Sequence, residues 1–365
     1  MFRIISQDKK TEARTGEIAT THGKILTPAF MPVATMGAAK TLSSEELEEM
    51  DYKLILANAF HLYLKPGLKI IKKFGGLHNF MNWNQGLLTD SGGYQIFSLK
   101  NTKVTEEGVN FRSSLDGSSH FFSPEVSIKV QEILGADIIM AFDECLGYPV
   151  ECKRAKESME RSMRWAIRSK KAHRNNKQFL FGIVQGSTDK DLRRTSLERL
   201  EEIGFPGYGI GSLSIGEPEE MMFEIVDSLI PLMPENKPRY LMGLGKPSQL
   251  LEMIKKGVDL FDSSFPTRIA RNGSCLTHQG KIIIRDSKFK NDTAPIDENC
   301  SCPVCRNYTR AYIRHLFNVG EVLALRLASY HNLFYLNHLT KEARKAIAEN
   351  NFSSFYSLTK EALKG

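Results

Sequence analysis

The sequence predicts an α/β protein: a (β/α)8 TIM barrel with a β-hairpin insertion and a C-terminal zinc-binding helical subdomain. Three observations carry that expectation. Short apolar runs alternate with amphipathic, charge-laced stretches, polar side chains stand at the ends of several of those runs, and three cysteines cluster near the C-terminus. Repeated strand–helix alternation implies a parallel sheet covered by helices. Seven or more such units favour closure into a barrel over an open doubly wound sheet. No G-x-G-x-x-G follows the first candidate strand, so the main dinucleotide-binding signature is missing.

In chain order, the candidate strands are the short apolar runs 53–58, 87–91, 137–143, 179–185, 208–213, 239–243 and 260–262. The helical patterns are 43–51, 124–135, 152–175, 189–204, 218–233 and 247–257. Ser43 with Glu46 forms a capping box, Ser123 precedes Pro124, and Gly135, Gly204 and Gly257 stand at helix ends. The stretch 109–122, with Asp116-Gly117 at its centre, reads as an inserted β-hairpin, and 274–285 as a second antiparallel excursion. After Arg285 come a turn-rich cysteine segment and a helical tail. The expected division is a barrel with antiparallel insertions over 1–285 and a zinc-binding subdomain over 286–365, packed on the barrel.

Composition bounds this reading. The 365 residues are 41% hydrophobic and 25% charged, which are globular proportions and exclude a fibrous or disordered chain. No run approaches the ~18 apolar residues of a membrane span. The N-terminal Phe2-Arg3-Ile4-Ile5-Ser6-Gln7 has no secretory apolar region, so a soluble, cytoplasmic protein is expected. A net charge of +7, from 49 basic and 42 acidic residues, suits a polyanionic partner without demanding one.

At the C-terminal ends of the candidate strands stand Asp90, Asp143, Gln185 and Asp262. In a barrel these ends converge on one face, where active sites lie. A carboxylate after four apolar residues is costly to bury unless it is paired, hydrogen-bonded or solvated in a cleft. Each aspartate alone reads equally as a helix cap; three on one rim read as catalytic. Two carboxylates across a pocket supply a nucleophile and a general acid/base, the logic of glycosidic-bond chemistry. The cysteines point to metal. Cys300-Ser301-Cys302-Pro303-Val304-Cys305 presents three thiolates from one turn, and His331, after 25 intervening residues, completes a tetrahedral set, with His315 and His338 as rivals. A filled Cys3His sphere is a structural zinc site.

These features, in this order, resemble bacterial-type tRNA-guanine transglycosylase (queuine tRNA-ribosyltransferase). The carriers are Thr27-Pro28-Ala29-Phe30-Met31-Pro32-Val33, Thr89-Asp90-Ser91-Gly92-Gly93-Tyr94-Gln95, Gly182-Ile183-Val184-Gln185-Gly186 and Tyr240-Leu241-Met242-Gly243-Leu244-Gly245. Phe261-Asp262, Pro266-Thr267-Arg268, Arg271-Asn272-Gly273 and the cysteine motif complete them. The resemblance implies exchange of the anticodon wobble guanine of GUN-anticodon tRNAs for a 7-deazaguanine. Asp262 would be the nucleophile that forms a covalent ribosyl-enzyme, and Asp90 the general acid/base. Ser91, Gly92, Gly93, Asp143, Gln185 and the backbone N–H groups near Ser212 and Leu213 would bind the purine, with Tyr94 and Met242 sandwiching the extruded base. Gly243, Leu244, Gly245, Lys246, Pro247, Ser248 and Gln249, with Thr267, Arg268, Ile269, Ala270 and Arg271, would hold the anticodon stem-loop. One structural Zn2+ per chain and a homodimer are implied too. The basic helical stretch 153–177 could touch phosphates, although such a stretch is more often a solvated face.

Several positions depart from the usual bacterial pattern: Ser212 in a Gly-Gly-Leu run, Ser263-Ser264 for Cys-Val, Ile269-Ala270 between the arginines, and Ala57 and Ala59 near an early strand. Cys145 and Ile215 look like enzymes that take 7-aminomethyl-7-deazaguanine (preQ1); the Ser-Ser pair looks more like queuine salvage. The expectation favours preQ1. The competing classes are a zinc-stapled barrel glycoside or nucleoside hydrolase, and a non-catalytic partner subunit, which retention of Asp90, Asp143 and Asp262 disfavours.

Overall fold

A computed structural model of the chain describes residues 2–99 and 102–363. Eight parallel strands close into a barrel, in the chain order Ala29–Ala34, Leu54–Ala57, Gly86–Thr89, Ile138–Met140, Phe179–Val184, Tyr208–Ile210, Arg239–Leu241 and Leu260–Ser263. The last strand pairs with the first, Leu260 opposite Ala29 and Ser263 opposite Pro32. Seven of the strands coincide with the candidate runs. The eighth, Ala29–Ala34, was not among them. Its run is interrupted by Pro32, which removes a ladder donor and argues against a central strand.

Two packed layers follow from the alternation of side chains along each strand. Met31, Leu54, Leu56, Leu88, Ile138, Met140, Phe181, Ile183, Tyr240 and Leu260 form one buried cluster, to which Ile18 and Ile25 also belong. Those two isoleucines come from a three-stranded antiparallel sheet, Phe2–Gln7, Arg14–Thr20 and Gly23–Thr27, which no sequence pattern announced. The larger cluster lies between the strands and the surrounding helices, and continues into the C-terminal region.

The helices begin and end largely where local chemistry puts them. Ser43 caps Ser44–Glu49 through the full capping box with Glu46, Ser123 caps Pro124–Leu134, and Gly135 and Gly204 adopt left-handed C-caps. The inserted hairpin is present as Val109–Arg112 against Ser119–Phe122, with a short third strand, Lys103–Val104, on its edge. Ser274–Thr277 and Gly280–Ile283 form the second antiparallel pair. Beyond it lie the short helix Pro303–Asn307, the helices Arg310–Val319 and Phe352–Ala362, and between these two the 27-residue helix Val322–Ala348.

That long helix is fastened to the barrel by buried polar contacts. Tyr52 Oη donates to the Leu333 carbonyl at 2.7 Å, Asn337 Nδ2 to the Met50 carbonyl at 2.6 Å, and Arg344 Nη1 to the Pro28 carbonyl at 2.7 Å. No helix among the described residues is long and apolar enough to cross a membrane.

Candidate active site

The polar ends of the strands meet in a cavity of about 500 Å3 at the C-terminal rim of the barrel. Asp90 follows the third strand directly, Asp143 stands three residues after the fourth, Ser212 and Leu213 follow the sixth, Met242 follows the seventh, and Asp262 lies within the eighth. All six line the cavity together with Ser91, Gly93, Tyr94, Gly243 and Arg268. Gln185 does not reach it. Its Nε2 donates to Asp143 Oδ2 from behind, while Ser91 Oγ donates to Asp143 Oδ1 at 3.0 Å.

The loop after the third strand has little room for side chains. Gly92 has a φ of +82°, a left-handed conformation that glycine adopts without steric cost. A Cβ on Gly93 would lie 2.7 Å from the Asp143 carbonyl oxygen, so only glycine lets the two loops close on each other. Ser212 also sits at positive φ, +48°, with its hydroxyl 3.4 Å from Cys145 Sγ.

The three carboxylates are held differently. Asp262 Oδ1 accepts from Tyr240 Oη at 2.6 Å and from the Gly243 N–H at 2.9 Å. Its Oδ2 has no protein hydrogen bond among the described residues. Burial raises the Asp262 carboxyl above its ordinary range, and those two donors pull it back. Asp90 accepts from the Ala59 N–H at 2.9 Å, from Gln95 Nε2 at 3.1 Å and from Asn58 Nδ2. Burial, reinforced by the charge of Asp262, lifts Asp90 to about 7. Burial lifts Asp143 to about 6, against the hydrogen bonds from Ser91 and Gln185. Two rim carboxylates, one of them held near neutrality, are the equipment of acid/base-assisted displacement.

Gly92 lies behind the cavity wall as the N-cap of Gly93–Phe97. Of the residues expected to hold RNA, Gly243 and Arg268 line the cavity. Leu244, Gly245, Pro247, Gln249, Thr267 and Ala270 are buried beside it, Ser248 and Ile269 are half-buried, and Lys246 is exposed. Arg271 is half-buried, and its Nη1 has no hydrogen-bond partner among the described residues. Sequence reasoning missed Asn58, Gln95 and Tyr240 as partners of the rim carboxylates. Asn58 stands at a strand end like the aspartates, a signal that was available; Tyr240, inside an apolar strand, reads as core.

The cysteine cluster assembles as expected. Cys300, Cys302, Cys305 and His331 place their ligand atoms within 4.8 Å of one another. Cys302 Sγ and Cys305 Sγ lie 3.6 and 3.3 Å from His331 Nδ1. A tetrahedral ion with ordinary metal–sulfur and metal–nitrogen bonds requires about 3.5 Å on that edge. His331 Nε2 lies 2.6 Å from the Leu276 carbonyl, an acceptor that takes the ring proton and leaves Nδ1 free as a ligand. The donor set therefore fits a metal ion. His315 is exposed and His338 half-buried, and neither belongs to the cluster.

A closed parallel barrel with a carboxylate-bearing pocket at its C-terminal rim defines the class: a barrel enzyme with its chemistry at the strand ends. The particular family follows from comparison with known proteins. The family model for queuine tRNA-ribosyltransferase matches residues 8–364. A queuine tRNA-ribosyltransferase of Caldanaerobacter subterraneus is 53% identical over 356 residues, covering 97% of this chain and 95% of the relative. One from Ruminiclostridium cellulolyticum is 54% identical with the same coverage, and one from Enterococcus faecalis 52% identical, covering 97% and 93%. The chain belongs to the queuine tRNA-ribosyltransferase family, the pentosyltransferases also called tRNA-guanine transglycosylases.

Proposed function

We propose that the chain replaces the wobble guanine of GUN-anticodon tRNAs with preQ1 by double displacement at Asp262. The observation that carries this reading is the asymmetry of the Asp262 carboxylate. One oxygen is held by Tyr240 and Gly243, while the other has no protein partner and belongs to the same cavity as Asp90. The free oxygen attacks the ribose C1′ and the bond to the guanine nitrogen breaks, giving a ribosyl-aspartate ester. Asp90, held near neutrality, gives its proton to the departing guanine. The incoming base then loses a proton to Asp90, and its nitrogen displaces Asp262 from C1′. One glycosidic bond is traded for another, so no external energy source is needed.

Asp143, backed by Ser91 and Gln185, reads the donor edge of the purine, and Tyr94 and Met242 enclose its faces. Arg268 and Arg271, with the 243–249 loop, hold the anticodon phosphates. A Zn2+ held by Cys300, Cys302, Cys305 and His331 ties the 286–365 subdomain to the barrel, and the active form is a cytoplasmic homodimer.

The test uses tRNA carrying a labelled wobble guanine, with preQ1 and queuine added separately. Release of label by preQ1 is expected. Release only by queuine would reverse the base assignment, to which Ser263 and Ser264 on the cavity wall would then be relevant. No release by either base would overturn the transferase reading.

A further inference from the structure

We propose that Arg193 is a positioning residue for the base: its guanidinium orients two peptide planes so that the N–H groups of Ser212 and Leu213 face the cavity and bind the 6-oxo group of the purine. This deepens the reading given above and rests on it. Arg193 lies in the helix Lys190–Ile203, is 1% exposed, and forms no ion pair among the described residues. Its donors go to backbone carbonyls instead. Nη2 reaches Gly211 at 2.9 Å and Ser212 at 3.3 Å, Nε reaches Ser187 at 2.6 Å, and Nη1 reaches Val184 at 3.4 Å. A buried guanidinium without a carboxylate is expensive, so its carbonyl contacts call for a reason beyond packing.

Peptide geometry supplies one. Across a trans peptide the C=O and the following N–H point in opposite directions. Drawing the carbonyls of Gly211 and Ser212 toward Arg193 therefore turns the N–H groups of Ser212 and Leu213 the other way. The Leu213 N–H has no protein acceptor among the described residues and the Ser212 N–H meets only the weakly accepting thiol of Cys145 on the cavity wall, whereas the flanking N–H groups are held by oxygens. Gly211 N–H donates to the Val184 carbonyl at 3.1 Å, and the Ser214 and Ile215 N–H groups both donate to Glu217. Gly211, Ser212 and Leu213 all line the cavity. Burial lowers Arg193 to about 10, so it keeps its charge at neutral pH. A cation on the carbonyl side of two peptides polarises their N–H groups, which then meet the negative charge that a 6-oxo purine gathers as its glycosidic bond breaks.

The experiment compares binding of 7-deazaguanine with that of 2-amino-7-deazapurine, which lacks the 6-oxo group, by calorimetry on the full-length, metal-loaded protein. Wild type is expected to prefer the oxo base. Arg193→Met should lose that preference by about 10-fold, the scale of one to two hydrogen bonds, while holding the des-oxo base nearly as before. Arg193→Lys, with charge but a shorter reach, should fall between, and kcat/KM for exchange should follow the oxo preference. Equal weakening for both bases would reduce Arg193 to a structural role and overturn the proposal, as would an unchanged preference. If circular dichroism shows Arg193→Met unfolded, the lysine variant decides alone, and an intact preference there overturns it. Wild type binding neither base would instead fell the purine-site reading itself.

Discussion

Asp90 and Asp262 face one cavity, yet their surroundings hold them differently. Burial raises both; Asp262 takes two donors on one oxygen that oppose the rise, whereas Asp90, which also feels the charge of Asp262, is lifted to about 7. The lift has a consequence for stability. From the ordinary value of 3.8 up to about 7, the unfolded chain is ionised while the folded chain keeps the Asp90 proton. The stability tied to this group is intact below about pH 4 and is lost as pH rises through about 7. Asp90→Asn should therefore melt close to wild type near pH 4 and above it at pH 8, while base exchange is lost. Thermal melts across pH check this, and a pH-independent offset would contradict it. For Asp262→Asn the expected outcome is loss of the covalent tRNA adduct on denaturing gels, with metal content unchanged. The strand-end aspartates were legible in the sequence because a carboxylate after an apolar run is conspicuous. Tyr240 and Arg193 were not. One reads as core and the other, beside Asp191 and Arg194, as a solvated helix face; what defines each is a partner distant in sequence.

Among elements, the N-terminal sheet was the least legible. Phe2–Gln7 alternates only between half-buried and exposed, so it carries no core face, and its role appears only once Ile18 and Ile25 meet the barrel interior. A polar clasp also holds it. Asp137, at the start of the fourth strand, accepts from Thr21 Oγ1 and His22 Nδ1 at 2.8 Å and from the Leu87 N–H at 2.9 Å. The His22 ring stacks on His78 at 3.7 Å between centroids. His78 Nε2 also lies 3.6 Å from Asp137 Oδ2, and despite burial His78, His22, Thr21 and the Leu87 N–H together hold the Asp137 carboxyl well below its ordinary range. A depressed pKa gives stability that is present above the unfolded value and lost as pH falls below it. Asp137→Asn is expected to cost roughly 1.5–3 kcal/mol at neutral pH, the scale of hydrogen bonds to a charged group. That difference should shrink on acidification below about pH 4. Urea titrations at several pH values measure it, and a constant difference would refute the clasp. The helix Cys152–Ala172 illustrates how charge alone misleads. Arg154 and Arg161 bond the buried Glu144, Arg164 bonds Glu106 and Arg168 bonds Glu125, so these arginines are taken up by protein carboxylates.

At the scale of the whole molecule, Asn332 is a polar link between the cysteine cluster and the rim. His331 has Asn332 beside it on the long helix. Asn332 Oδ1 accepts from the Leu276 N–H at 2.8 Å, and its Nδ2 donates at 3.0 Å to the carbonyls of Pro266 and Ser274. Pro266 opens the helix Phe265–Arg271, which carries Arg268 to the cavity and begins directly after the Asp262 strand. A metal that fixes His331 thereby fixes the register of the long helix against the arginine-bearing helix, some sixty residues away in sequence. The cysteine spacing pointed to a metal-binding set, but only the fold shows what that set braces. Removal of the metal, by chelation or by Cys302→Ser, should lower the melting temperature and loosen Arg268 before it disturbs Asp262, whose own donors come from Tyr240 and Gly243. The expected kinetic signature is a rise of about 10-fold in KM for tRNA with a smaller change in kcat, because an RNA contact made before the chemical step acts on binding. A fall in kcat at constant KM would mean that the metal supports the Asp262 strand directly, and not the Arg268 helix beside it.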